Sequence, residues 1–131
     1  KLLDNALEKI LTLTTDAFEF DDARTASQVE PLEQVIDILV ERLRAQHIKR
    51  LKDGACSIDT GVVYLDVLNN VERISDHCSN IAARLVGMEA GEDYDSHTLK
   101  NMMHHNPTKE YMLNYEQCRK DYLVPLEQLE A

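Results

Sequence analysis

Two acid pairs spaced four residues apart, Glu33/Asp37 and Glu72/Asp76, are the side chains in this sequence best suited to chemistry. At 3.6 residues per turn, that spacing puts the two carboxylates of a pair about 40° apart, nearly on one line of an α-helix. Such a line is either a solvated edge or a place to hold a cation. All-oxygen ligation suits hard or borderline ions such as Mg, Mn, Ca or ferric Fe better than a structural Zn site. Glu30, Asn69 and Asn80 lie close enough in the sequence to add oxygen ligands or to hydrogen-bond the ligands.

Helical-wheel geometry places both pairs beside the core. With Glu72 at zero, Asp76 falls at about +40°, Asn69 at about +60° and Asn80 at about +80°, while the apolar arc centres near −110°. With Glu33 at zero, Asp37 is at about +40° and Glu30 at about +60°, against an apolar arc near −80°. Both pairs therefore occupy the same shoulder of their stripes. A short turn between the two helices makes them antiparallel neighbours. The numbers of Glu33 and Asp76, and of Asp37 and Glu72, share the same sum, and its midpoint falls at Gly54 and Ala55. Four carboxylates converge in one zone on this reading, where their repulsion requires a cation or nearby Arg and Lys. Acids at a core margin also form ordinary ion pairs, and both readings stand at this point.

The elements that position these acids are legible from periodicity. Residues 2–18 carry Leu3, Ala6, Leu7, Ile10, Leu11, Leu13, Ala17 and Phe18 at helical spacing. Asp21, Asp22 and Thr25 are N-cap candidates for the next helix. That second helix shows Val29, Leu32, Val35, Ile36, Leu39, Val40 and Leu43, with Ile48 and Leu51 near its end. Pro31 either sits in its first turn or kinks a longer helix. "KRLKDG" stops it, with Gly54 as the C-terminal cap. Ser57 or Asp59 caps a third helix over about 60–86, with Val63, Tyr64, Val67, Leu68, Val71, Ile74, Cys78, Ile81 and Leu85 on one side. Residues 91–107 read as a linker containing Met102, Met103, His104 and His105, with one short helix capped by Ser96 as an option. After Pro107 a fourth helix, about 108–124, repeats Tyr111, Tyr115, Cys118, Tyr122 and Leu126 at three- and four-residue steps. The fold class expected is an all-α antiparallel three-helix bundle over 1–90 with an additional C-terminal helix over 108–131, forming one domain.

Composition narrows the function. The chain has 131 residues, a formal net charge of −10, 44% apolar residues and 5% aromatics. That charge argues against a nucleic-acid partner, which calls for Lys and Arg against phosphate. No apolar run is long enough to span a membrane. Three cysteines without a C-x-x-C fit reduced thiols in a cytosolic compartment, with a single disulfide still open. The chain begins with Lys1 inside an apolar periodic segment, as expected of a piece of something longer. Adjacent His104 and His105 point apart on a helix and make a poor metal site. His77 lies on the outer face, whereas His47 sits on the apolar shoulder, where it packs or hydrogen-bonds an acid. No Glu-x-x-His, G-x-S-x-G or P-loop is present, so an enzyme, including a ferritin-like di-metal one, is not expected.

"YLDVLNNVERISDHCSNIA" resembles the signature helix of the PhoU family, and "VEPLEQVIDIL" followed by "HIKRLKDGACSIDTG" resembles the helix before it. The likeness covers most of the chain and is most specific in residues 29–86. It is strongest to the PhoU-like cytoplasmic C-terminal domains of bacterial sodium/phosphate cotransporter-like proteins. One departure is Ser75, where the family usually has Gly. The resemblance implies metal binding through Glu33, Asp37, Glu72 and Asp76, with Fe, Mn, Mg, Zn or Ca as the ion. It also implies a regulatory domain on the cytoplasmic side of the plasma membrane, covalently linked to a transmembrane transporter domain, with a homodimer as a further partner option. Two alternatives remain: a stand-alone PhoU-type regulator of an ABC phosphate transporter or sensor kinase, and a metal-free helical dimerisation module.

Overall fold

The computed structural model describes residues 1–89, 91, 98–101 and 108–130. Its elements are α1 (Leu2–Glu19), α2 (Ala23–Ala26), α3 (Val29–Lys52), α4 (Ile58–Glu89), α5 (Lys109–Cys118), a π-helical turn (Arg119–Leu123) and α6 (Val124–Glu130). Residues 98–101 are also helical. The expected Ser96 cap and Met102–His105 lie outside the described residues, as does most of the expected linker. No strand occurs among the described residues, and the fold is the all-α bundle expected, with a further C-terminal helix packed on it.

Local chemistry sets the helix ends. Gly54 takes a φ of 71° after α3, its N–H bonds the Leu51 carbonyl at 3.2 Å and the Ala55 N–H bonds the Arg50 carbonyl at 2.9 Å. These are the two bonds of a Schellman motif, in which glycine adopts the left-handed conformation without a Cβ clash. Asp21 plays the same part after α1 with a φ of 49°, and the Asp22 N–H reaches back to the Ala17 carbonyl at 3.0 Å. Asp22 then caps α2, accepting from the N–H groups of Arg24 and Thr25 at 3.0 and 3.2 Å. α3 starts at Val29 and runs on through Pro31, so the proline sits in the first turn, where its missing N–H costs nothing. The Ser57 hydroxyl accepts from the Thr60 N–H at 3.2 Å and caps α4. Thr108 does the same for α5, accepting from the Tyr111 N–H at 3.0 Å. The π turn ends two residues before Pro125, which has no N–H to give to the turn before it, and the helix widens there.

α1, α3 and α4 pack against one another. The Ser79 hydroxyl meets Glu30, and His47 meets the Gly61 carbonyl at 3.2 Å, so α3 and α4 run antiparallel in the register expected. Leu2 and Leu3 share a groove with Val67 and Leu68, and the Cys78 thiol meets the Thr14 hydroxyl. α1 therefore runs alongside α4 in the same direction. Ile10, Leu32, Ile36, Leu39 and Leu68 are among the largest fully buried side chains, each contributing about 1.5–3 kcal/mol by leaving water.

One expectation fails in α4. Val63, Val67, Ile74 and Ile81, read as core, are exposed. The buried side is instead Leu68, Val71, Ser75, Cys78, Ser79, Ala82 and Ala83. Small residues let α1 and α3 approach closely along this line, and the core shifts toward the acidic shoulder. Leu11 and Phe18 of α1 and Ile48 of α3 are likewise exposed rather than buried.

Candidate functional site

α3 brings three acids to the seam with α4. Glu30 and Glu33 are buried and Asp37 is exposed at the rim. The Ser79 hydroxyl donates to the Glu30 carboxylate across the seam. Burial pushes the Glu33 carboxyl up to about 9, and the hydrogen bond it shares with Asp37 and the charges of Glu30 and Asp37 push the same way. These effects favour the protonated form of Glu33, whose O–H donates a hydrogen bond to the Asp37 carboxylate. Although Asp37 stands at the rim, the partial loss of water around its carboxyl raises it; the bond from Glu33 opposes this, and the charges of Glu72 and Glu30 add to it.

On α4 the two acids are matched by cations. Arg44 of α3 bonds Glu72 at 2.6 Å and the Asn69 side-chain oxygen at 3.0 Å, and it also pairs with Glu41. Lys100 bonds Asp76 at 3.1 Å and the Asn80 oxygen at 3.4 Å, while the Asn80 amide donates to Asp76 at 3.5 Å. Partial burial lowers the Lys100 ammonium, but Asp76, Glu30 and Glu33 outweigh it and hold Lys100 above the ordinary lysine value. Lys100 also acts on the acids of α3, its charge lowering both Glu33 and Asp37. The Leu99 methyls fill the space beside Gly87, where an added Cβ would lie 2.6 Å from Leu99 Cδ1. The missing side chain at 87 lets residues 98–101 dock and carry Lys100 to the seam.

Of the residues singled out in the sequence, Glu33, Asp37, Glu72, Asp76 and Glu30 all reach this seam, and Asn69 and Asn80 hold the cations that meet its outer acids. Glu30 is more central than its place on the wheel suggested, because Ser79 faces it from α4. Its charge, with that of Glu33, also raises the buried Tyr111 hydroxyl, after burial itself. Among the described residues, no three His, Cys, Asp or Glu side chains are already grouped to hold a metal ion. The seam instead stands in a proton- and cation-compensated arrangement, with Arg44 and Lys100 occupying the outer carboxylates. His77 is exposed, as expected. His47 is buried and stacks on Tyr64 at 4.4 Å, and its ring nitrogens bond Gly61 and Arg50 rather than an acid.

Sequence reasoning missed Arg44, Ser79 and Lys100. Arg44 had a signal, lying two turns after Asp37 on the same face of α3. Ser79 lies level with Glu30 in the hairpin register that aligned the acid pairs. Lys100 had none, since it arrives from beyond α4. All three cysteines are free thiols. No helix among the described residues is long and apolar enough to cross a membrane.

The PhoU domain family matches residues 2–85. A phosphate-specific transport system accessory protein, PhoU homolog 1, from Thermotoga maritima is 25% identical over 96 residues, covering 71% of this chain and 41% of that protein. A phosphate-specific transport system accessory protein PhoU homolog from Streptococcus pneumoniae is 34% identical over 79 residues, covering 60% of this chain and 37% of that protein. The chain thus spans about two-fifths of the length of these relatives. No solved structure matches. With the matched segment running from the start of α1 nearly to the end of α4, the whole three-helix core, the chain belongs to the PhoU domain family.

Proposed function

We propose that this chain is the regulatory bundle of a phosphate-transport accessory protein and that the α3–α4 seam is its cation-responsive element. The relatives are named as accessory proteins of a phosphate-specific transport system. That supports an accessory regulator over a domain tethered to a sodium-dependent transporter. The observation that carries the cation reading is the convergence of Glu30, Glu33 and Asp37 with Glu72 across one partly buried seam. The mutual repulsion of these carboxylates, with burial, favours a proton on Glu33, while Arg44 and Lys100 bond Glu72 and Asp76. A hard divalent or ferric cation offers the same compensation in one place. Glu33, Asp37, Glu72 and Asp76 are the residues that would hold it, with Asn69 and Asn80 orienting them. Loading requires Glu33 to release its proton and Arg44 and Lys100 to let go of Glu72 and Asp76. Bound metal would supply positive charge and fix the spacing of α3 and α4, a structural or sensing part rather than a catalytic one.

The regulatory role is tested in cells with and without the gene for the parent protein, by following labelled phosphate uptake at low and high external phosphate. The proposal expects loss of the gene to change uptake or its response to external phosphate. Identical uptake in both strains contradicts it.

A further inference from the structure

After α4 the chain returns to the acidic seam at residues 98–101 and again at the first turn of α5. The Lys100 ammonium donates to Asp76 at 3.1 Å and to the Asn80 oxygen at 3.4 Å, and its side chain is only 14% exposed. It feels the charges of Glu30 and Glu33, and its own charge reaches Glu33 and Asp37. Tyr111 of α5 feels the same two glutamates. One position before Lys100, Leu99 is buried and fills the space beside Gly87. Leu99 and Lys100 therefore tie residues 98–101 to the three-helix core, the first by packing and the second by charge.

The two cations of the seam differ in what their release moves. Arg44 projects from within α3, a 24-residue helix packed on α1 and α4. Letting go of Glu72 swings the Arg44 side chain and leaves its backbone in place. Lys100 lies outside the core helices, so letting go of Asp76 removes a tie between residues 98–101 and α4. A cation held by Glu33, Asp37, Glu72 and Asp76 takes the same Asp76 carboxylate that Lys100 bonds. It also brings a second positive charge into a zone where the ammonium already sits, and like charges that close in a partly buried site repel strongly. Ion and ammonium therefore oppose each other at Asp76. Linkage makes the opposition reciprocal: the factor by which the ion loosens residues 98–101 is the factor by which their docking weakens the ion.

We propose that residues 98–101 are a strap displaced by cation loading, with Lys100 as the built-in competitor for Asp76. The proposal rests on the cation reading of the seam and adds how that site is regulated and read out. The chain alternates between a strapped form, with Lys100 on Asp76 and Leu99 against Gly87, and a loaded form with the strap released. Release turns the charge of the seam into a movement of backbone and uncovers the apolar niche at Gly87.

Two measurements on the 131-residue chain test it. Calorimetric titration with Mn, Mg, ferrous Fe and Zn in turn finds the ion that binds, and tryptic cleavage is then followed with and without that ion at saturation. Trypsin must take the Lys100 side chain into its own pocket, so cleavage after Lys100 reports release of the strap. That cleavage is expected to speed up by at least about tenfold on loading, relative to cleavage after the exposed Lys52, which controls for any effect of the ion on the protease. Lys100→Met keeps the apolar stem and removes the competing charge, and it is expected to tighten ion binding by at least about tenfold. Heat of binding with no change in cleavage after Lys100 overturns the strap and leaves the cation reading standing. An affinity that Lys100→Met leaves unchanged or weakens overturns the competition. Absence of heat with all four ions overturns the cation reading and the strap together.

Discussion

Glu33 is the residue whose chemistry departs furthest from its solution behaviour. Its carboxyl is raised from 4.5 to about 9 by burial and by its acidic neighbours. A raised folded-state pKa means that the stabilising contribution is complete below the unfolded value and disappears as pH climbs toward the folded one. In the metal-free chain, stability should therefore fall between about pH 4.5 and pH 9. Glu33→Gln keeps the shape and the hydrogen bond to Asp37 but removes the titration. It is expected to flatten that slope and to stabilise the chain on the order of 2 kcal/mol at pH 8, read from urea unfolding at several pH values. Ser79→Ala acts in the opposite direction. It removes a buried donor from Glu30 and should cost about 1–3 kcal/mol in the same assay. The cysteines make a third residue-scale test. Burial raises Cys78, and burial with the Asp121 charge pushes Cys118 up to about 11, so neither supplies much thiolate at neutral pH. Cys56 sits by the α3–α4 turn and should be alkylated well before the other two, as peptide mapping after brief iodoacetamide treatment would show. Equal labelling of all three would mean that the burial around Cys78 and Cys118 is wrong.

Helices, caps and the α3–α4 register could be read from the sequence because each depends on residues near one another in the chain. Asp22, Ser57 and Gly54 act within a turn of their own positions. The register came from a single short connection. Which side of α4 is buried could not be read in the same way. Ile74 and Ile81 are more apolar than Ser75 and Ser79, yet the serines are fully buried. Close approach of α1 and α3 favours small side chains at that line, and hydrophobicity does not report such an approach. The acid pairs were legible for their spacing. Lys100 was not, because it docks from a segment whose path depends on the empty Cβ position of Gly87. Gly87→Ala tests that dependence. Helix propensity favours the alanine by about 1 kcal/mol, while pushing Leu99 aside costs about 1–3 kcal/mol. The expected net result is a loss of about 1 kcal/mol in thermal or urea unfolding, accompanied by weaker protection of the Leu99 and Lys100 amides from hydrogen exchange. A clear gain in stability would show that Leu99 moves freely and that the 98–101 segment does not depend on Gly87.

At the scale of the whole molecule, two features face away from each other. The seam between α3 and α4 concentrates negative charge and balances it with a proton, Arg44 and Lys100. The far side of α4 presents an apolar stripe with a charged margin. Cation binding at the seam is the central claim, and isothermal titration of the chelator-treated chain with Mn, Mg, ferrous Fe and Zn tests it most directly. Saturable heat is expected with at least one of these ions. The heat should change between buffers of different ionisation enthalpy as Glu33 gives up its proton, and it should vanish in the Glu72→Ala/Asp76→Ala double variant while the helical circular dichroism stays the same. Absence of heat with every one of these ions in the wild-type chain, or undiminished heat in the double variant, would contradict it.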